Sequence, residues 1–306
     1  MPAVTVIMPV YNTAIYLPQA IESILNQTFS DFELLIIDDA STDQSVDIIR
    51  QYKDSRIHYI RNSENQGISE TRNRGIDLAR SEYIALMDSD DIAPSARLEK
   101  EVAFMNENRD IDVVGGHLLE IDHNGKDRNK KWTVSLNPDY IKAYLLLGNT
   151  VANGSAMFRK SFVDRYKIRF SKASRGAEDY RFWVDCSLHG RIANLDEVML
   201  YWRTGHYSET SLVKANRSRE REEALTRAYA LHSSGFRLSD QDLSVLNEVF
   251  KEDGIINNME ELQLLYTVLR KISRQAKELQ LCNSNEIVTM CRKRFGEKVG
   301  KAYFLW

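Results

Sequence analysis

The sequence has 306 residues, of which 43% are hydrophobic and 28% are charged, a composition that excludes a disordered chain. This length fits one large α/β domain with a smaller appendage, or two domains of ordinary size. The formal net charge of -3 gives no basis for a protein that binds nucleic acid through its whole surface.

The cysteines and the apolar residues bear on the cellular compartment. The three cysteines are sparse, odd in number and without metal-ligand spacing, which favours a reducing compartment. No run approaches the roughly 20 apolar residues that a membrane span needs, and the first residues form a strand pattern, not a signal peptide. We therefore expect a cytoplasmic protein, soluble or peripheral on the inner face of the cell membrane.

The first hundred residues alternate short apolar runs with amphipathic helical patterns. Apolar runs predict buried strands at residues 4–9, 33–37, 57–60 and 83–87, and helical periodicity predicts helices near 17–25, 41–52 and 69–79. Because each of these runs is followed by a helical pattern or an acidic turn, the order predicts an α/β fold with a mainly parallel sheet flanked by helices.

The rest of the chain departs from this alternation. Residues 113–119 and 198–201 are predicted strands, residues 122–131 a polar loop, and residues 178–188 a helix. After about residue 215 strand patterns end, and apolar residues recur at spacings of three and four. They are Leu262, Leu265, Leu269, Ile272, Ala276 and Leu279. This spacing predicts a long helix in a helical appendage; a dimerising helix or an acceptor-docking surface is the alternative.

Three predicted strands run directly into polar segments: PVYN at 9–12, Asp38-Asp39, and DSDD at 88–91. Ligands bind outside the carboxyl ends of parallel strands, so these segments are expected to line one crevice. The three carboxylates of the last segment repel one another unless a cation lies between them. Their oxygens suit Mg²⁺ or Mn²⁺, whose coordination shell is often completed by substrate phosphates. The alternative is a solvated acidic turn that caps the following helix.

Two further side chains at these strand ends have the chemistry to hold a nucleoside. The Asp39 carboxylate can accept hydrogen bonds from a ring N–H or from ribose hydroxyls, and Tyr11 offers a flat face on which a base can stack. The alternatives are an Asp39 that caps a helix and a Tyr11 that belongs only to the rim.

These segments resemble glycosyltransferase family 2. The resemblance is carried by PVYN at 9–12, SILNQTFSDFELLIIDDAST at 23–42, GISETRNRGI at 67–76 and YIALMDSDD at 83–91, in the family's order and spacing. Further on, GAEDY at 176–180 resembles the acidic motif before the acceptor-side helix. Tyr201-Trp202-Arg203 with His206, Ser208 and Ser211 resembles the closing loop of non-processive members. The likeness fades after about residue 215.

The resemblance implies a GT-A fold over residues 1–215, with a donor half to about residue 110 and an acceptor half from 111, followed by a helical region at 216–306. It implies that the enzyme moves a single sugar from a nucleotide-sugar donor, most often a UDP sugar, to a glycan or lipid-linked saccharide acceptor. The implied donor-binding residues are Pro9, Tyr11 and Asp39 for the nucleobase, Asp88 near the ribose and metal, and Arg72 at the diphosphate. For Arg72 the alternative is a structural salt bridge.

The same resemblance implies the metal and catalytic residues. Asp90 is the expected principal ligand of a divalent Mn²⁺ or Mg²⁺ ion, and His206 a further ligand, with a surface histidine as the alternative. Asp179 is the expected base that deprotonates the acceptor hydroxyl, and a single displacement from the opposite face inverts the anomeric centre. Glu178 beside it is expected to raise its pKa. Trp202 and Glu178 are expected on the acceptor side. The alternative for Asp179 is a helix cap.

Other classes fit the sequence less well. A processive synthase would carry transmembrane helices, an oxidoreductase a Gly-x-Gly-x-x-Gly segment after the first strand, and a nucleotidyltransferase a glycine-rich phosphate loop there. A phosphoacceptor signalling domain would be much shorter. A catalytically inactive nucleotide-sugar binding module is the remaining alternative.

The last 37 residues form a basic tail. Residues 270–306 contain nine Lys and Arg and three Glu, a net charge of +6. Cations interleaved with aromatic residues predict contact with an anionic membrane, and a solvated helix is the alternative. The oligomeric state is left open by the sequence.

Overall fold

The computed structural model describes residues 1–205, 218–251, 254–256 and 258–303, with side chains described to residue 299. Its centre is one eight-stranded mixed sheet. The predicted α/β class with a helical carboxyl-terminal region is confirmed.

The first half of the sheet consists of parallel strands in the order β3-β2-β1-β4. Every residue of β1 is buried, as expected for a central strand covered on both faces. The strands are β1 (Val4–Val10), β2 (Phe32–Asp38), β3 (Ile57–Arg61) and β4 (Tyr83–Leu86), and the helices between them are α1 (Leu17–Leu25), α2 (Ser45–Gln51) and α3 (Ile68–Leu78). The strands and helices predicted for this part are confirmed, with α2 starting later than expected.

The second half extends the sheet with antiparallel neighbours. β7 pairs antiparallel with both β4 and β5, and β5 lies between β6 and β8 along its outer part. The elements are α4 (Arg97–Glu107), β5 (Val113–Ile121), β6 (Asp127–Trp132), α5 (Pro138–Tyr144), β7 (Met157–Arg159), α6 (Lys160–Arg165), α7 (Glu178–His189) and β8 (Ile192–Arg203).

The polar loop predicted for residues 122–131 is confirmed at 122–126 and wrong beyond, because β6 occupies residues 127–132. All six residues of β6 are exposed, and the strand pairs antiparallel with β5. An edge strand of this kind is held by backbone hydrogen bonds and buries no face, so it has no hydrophobic alternation for a sequence pattern to detect. The strand predicted at residues 198–201 is part of a longer strand, β8, which begins at Ile192.

Two apolar layers cover the sheet. One cluster joins β1 and β2 to α1 and α4, and the other joins the opposite face to α3, α6 and α7. Both faces of the central strands are therefore buried. Polar side chains lie instead at the carboxyl ends of the strands.

The carboxyl-terminal region is helical, with α8 (Ser218–Ser233), α9 (Asp240–Phe250), α10 (Met259–Glu278) and α11 (Ser284–Tyr303). The predicted apolar seam lies in α10, where Leu265, Leu269, Ile272 and Ala276 are buried. This core also includes Leu146 and Leu147, which follow α5. The helices therefore pack against the sheet unit, as expected for an appendage.

Part of the basic tail faces the protein. The Arg294 guanidinium donates to the Tyr144 hydroxyl at 3.2 Å, and Lys298 Nζ donates to the Gly254 carbonyl at 2.7 Å. Within the described ranges, no helix is both long and apolar enough to cross a membrane. Contact of this tail with a membrane surface stays a prediction.

Candidate active site

Hydrogen bonds join the three polar strand ends into one crevice. The Asn12 side-chain carbonyl accepts from the Thr42 backbone N–H at 2.8 Å, and the Asn12 backbone N–H donates to Ser41 Oγ at 3.1 Å. Thr13 Oγ1 donates to Ser89 Oγ at 3.0 Å. The segments after β1, β2 and β4 therefore touch directly, as the strand-end argument predicted.

Asp39 holds the segment between β3 and α3 in place. Its carboxylate is buried and accepts from Asn62 Nδ2 at 2.7 Å and from the backbone N–H groups of Gln66 and Gly67, both at 2.9 Å. Gly67 has φ +88° at the start of α3, a conformation that favours glycine. Of the four acceptor positions on the carboxylate, three are used, so one remains for a ligand N–H.

The other predicted nucleotide residues differ in exposure. Tyr11 is 48% exposed at the rim, and Pro9 is buried in β1 two residues earlier. Asp38 has a separate, structural place: it is fully buried, it accepts from the Ser41 backbone N–H at 3.0 Å and it pairs with Arg61 Nε at 3.1 Å. The acidic pair is thus split into one structural carboxylate and one that lines the crevice.

The acidic turn after β4 is pinned by the end of β8. The Arg203 backbone N–H donates to Asp91 Oδ1 at 2.8 Å, and Arg203 Nε donates to the Asp90 carbonyl at 2.7 Å. Burial, with the charges of Asp90 and Asp88, raises the pKa of Asp91 well above its usual range. A Cβ added to Gly154 would lie 2.9 Å from Leu200 Cδ2 and 3.3 Å from Asp88 Oδ2, so only glycine fits easily between β8 and the turn. The turn therefore holds three carboxylates close together, and Arg203 fixes its backbone.

Arg72 connects the acidic turn after β4 to the start of α7. Its Nη2 lies 2.7 Å from Asp88 Oδ1 and its Nη1 lies 3.7 Å from Glu178 Oε1, while the guanidinium stacks over the Phe170 ring at 5.3 Å. The side chain is only 7% exposed. The structure thus contains the salt bridge that the sequence offered as an alternative, and the contact of Arg72 with a diphosphate stays a prediction.

Asp179 lies in the first turn of α7, where the helix dipole favours negative charge. Its Oδ2 accepts from Asn149 Nδ2 at 3.0 Å. Burial, followed by the charge of Glu178, raises its pKa to about 6, against the opposing charges of Arg219 and Arg72. The predicted direction of this shift is confirmed, with burial as the larger cause. Asn149 was missed by the sequence analysis, because no motif connects it to residue 179.

The remaining predicted residues are Glu178, Trp202 and His206. Glu178 turns back to accept from the Gly176 backbone N–H at 2.7 Å, besides its contact with Arg72. Trp202 is half-buried at the end of β8, with its ring centroid 6.2 Å from that of Trp132. His206 lies outside the described residues.

The oxygen donors of the acidic turn fit a hard divalent cation. Burial, followed by the charges of Asp90 and Asp88, raises the pKa of Asp91, and a cation would relieve that repulsion. In the part of the chain that the structure describes, no three His, Cys, Asp or Glu side chains form a complete metal site. A cation here would therefore need oxygens from the donor or a ligand outside that part.

The chain is similar to known glycosyltransferases in sequence and in fold. An uncharacterized glycosyltransferase of Methanocaldococcus jannaschii is 34% identical over 207 residues, which cover 66% of this chain and 71% of the relative. The structure of Staphylococcus aureus TarS 1-349 in complex with UDP-GlcNAc matches with a TM-score of 0.63 at 20% identity, over 96% of this chain and 92% of that one.

A second solved structure contains a metal. The mannosyltransferase PcManGT from Pyrobaculum calidifontis, in complex with GDP-Man and Mn²⁺, matches with a TM-score of 0.59 at 15% identity, over 99% of this chain and 87% of that one. At these identities the two structures show the shared fold. The sequence model of Glycosyl transferase family 2 matches residues 5–167, more than half of the chain. The protein therefore belongs to glycosyltransferase family 2 and is a glycosyltransferase.

Proposed function

We propose that this enzyme transfers one sugar from a nucleoside-diphosphate sugar, with uracil as the favoured base, to a hydroxyl of a glycan or lipid-linked saccharide, with inversion. The observation that carries the proposal is the charged chain from Asp179 and Glu178 through Arg72 to Asp88. It connects a carboxyl suited to general-base work with a crevice suited to a nucleotide. Because the chain belongs to glycosyltransferase family 2, the alternative of a phosphoacceptor signalling domain loses its support.

The proposed step is a single displacement. The acceptor hydroxyl loses its proton to Asp179 while its oxygen forms a bond to the anomeric carbon, and the bond from that carbon to the phosphate oxygen breaks. The nucleoside diphosphate leaves with the electron pair. Asn149 holds the Asp179 carboxylate in place through its amide N–H. Because base and leaving group lie on opposite faces, the configuration inverts.

The donor side binds and orients the nucleotide. Tyr11 and Asp39 hold the base and Arg72 stabilises phosphate charge, which a guanidinium does with two N–H groups at once. Asp90, with Asp88 beside it and His206 as a further ligand, would hold the Mn²⁺ or Mg²⁺ ion. When bound, such an ion neutralises charge on the leaving diphosphate.

Hydrolysis of a panel of UDP and GDP sugars, with and without Mn²⁺, tests this proposal. We expect slow, metal-dependent release of the nucleotide from one donor, and a loss of about 100-fold in Asp90→Asn. This variant keeps the backbone carbonyl that Arg203 contacts. Asp110→Asn, an exposed carboxylate paired with Arg191, is the matched control. Release that needs no metal and survives Asp90→Asn would refute the metal assignment.

The pH dependence follows from the raised pKa of Asp179. The base works only as a carboxylate, so kcat/KM for transfer should rise about tenfold per pH unit below pH 6 and level off above it. Glu178→Gln removes a neighbouring negative charge and should move the inflection to lower pH. Glu107→Gln, on the exposed end of α4, should leave it in place. A profile that is flat from pH 5 to 8 would contradict the role of Asp179.

A further inference from the structure

An exposed aromatic and cationic surface lies beside the acidic turn. It consists of Arg128, Lys130 and Trp132 on β6 and Trp202 on β8, and we refer to it as the tryptophan–cation surface. β6 forms the edge of the sheet, and Trp132 is 46% exposed there. The two indole rings meet edge to face, with an interplanar angle of 74°. Exposed apolar groups clustered in this way commonly mark a binding site.

One buried carboxylate holds this surface in place. Glu120 on β5 accepts from Lys130 Nζ at 3.0 Å, from Trp132 Nε1 at 3.4 Å and from Arg128 Nη1 at 3.3 Å. Burial opposes its ionisation, but hydrogen bonds from Lys130, Thr204 and Trp132 lower its pKa to about 2. Glu120 is therefore a carboxylate at neutral pH, and the indole and both cations are preorganised around it.

The charge that solvent meets on this surface is positive. The Arg128 and Lys130 side chains are 43% and 57% exposed, whereas that of Glu120 is 7% exposed. Lys130 also lies 4.6 Å from the centroid of the Trp132 ring. Because the ammonium lies over that ring, a ligand that binds at the two indoles meets an ammonium and a guanidinium beside them.

The surface is tied to the proposed active site by one residue. Trp202 directly precedes Arg203, which holds Asp90 and Asp91. The same guanidinium donates to the Asp122 and His123 carbonyls, where the chain turns from β5 toward β6. The acidic turn and the tryptophan–cation surface are therefore anchored to the same side chain.

Resting on the proposed function, we propose that the tryptophan–cation surface binds the acceptor, and that this acceptor is an acidic glycan. Sugar rings present C–H faces that stack on indole rings. Carboxylate or phosphate groups along the same chain would pair with Arg128 and Lys130. A neutral glycan would use the tryptophans and gain nothing from the net positive charge that Arg128 and Lys130 leave beside Glu120.

Binding of defined polymers to the full chain tests this inference. The probes are polygalacturonate for carboxylates, poly(glycerol phosphate) for phosphates, dextran as a neutral glycan, and phosphatidylglycerol vesicles as an anionic membrane. We expect at least one acidic polymer to bind more tightly than dextran. Its Kd should rise about tenfold in Trp132→Ala and in Lys130→Gln, which keeps Arg128 on Glu120. Which polymer binds distinguishes carboxylate from phosphate recognition.

Two controls are matched to these variants. Lys131→Gln removes a neighbouring cation on the opposite pleat of β6, and Tyr266→Ala removes a similarly exposed aromatic ring from α10. Both should leave the Kd unchanged. Equal affinity in all four variants, equal binding of dextran, or binding of the vesicles alone would overturn the inference. Donor hydrolysis by the native chain in the same samples reports separately on the proposed function.

Discussion

Replacing Asp179 with asparagine is expected to lower the rate of sugar transfer about 10³-fold, within the range that general-base catalysis contributes. The asparagine has nearly the same shape and keeps an oxygen that can accept from Asn149, but its amide cannot take up the acceptor's proton. Steady-state transfer kinetics measure this loss. Binding of the donor nucleotide, followed by calorimetry, should be unchanged, because the proposed role of Asp179 is toward the acceptor and not the donor.

The folded state of this variant should be at least as stable as that of the native chain at pH 8. The raised pKa of Asp179 means that the folded protein disfavours its carboxylate, so native stability falls as the pH rises toward 6 and stays lower above it. A neutral asparagine avoids this cost. A variant that folds normally and transfers sugar at the native rate would show that Asp179 only caps α7.

Replacing Arg203 with alanine is expected to lower the free energy of unfolding by about 4 kcal/mol. The side chain is 2% exposed, and its guanidinium donates to the carbonyls of Asp90, Asp122 and His123 and to the Gln19 side chain. Its removal breaks these four hydrogen bonds and takes a buried guanidinium out of the junction between the acidic turn and the segment after β5. Urea denaturation measures the change. Donor hydrolysis should fall as well, because the acidic turn loses its anchor.

Arg191→Ala provides the matched control for this prediction. Arg191 directly precedes β8, its side chain is 50% exposed, and it forms an ion pair with Asp110. Exposed ion pairs of this kind contribute less than about 1 kcal/mol. Equal losses in the two variants would mean that Arg203 does not hold the acidic turn in the way the hydrogen bonds indicate.

Much of the first, parallel half of the sheet was predictable from local pattern. Buried parallel strands are apolar throughout, and their ends are marked by PVYN, Asp38-Asp39 and DSDD. Since the carboxyl ends of such strands share one edge, the crevice followed from the order of the elements. The different contacts of Asp38 and Asp39 could not be predicted from the order of the elements. It depends on Arg61 and Asn62, which lie more than twenty positions along the chain.

The sequence by itself determined the fold class, the family and the residue types at the strand ends, because these depend on periodicity and short motifs. Tertiary structure alone decided β6, the contact of Asn149 with Asp179 and the pairing of Trp132 with Trp202. An exposed edge strand buries no apolar face and leaves no periodic signal. Side chains separated by 30 residues or more meet only where packed elements bring them together, so the partner of Asp179 could not be predicted from the sequence.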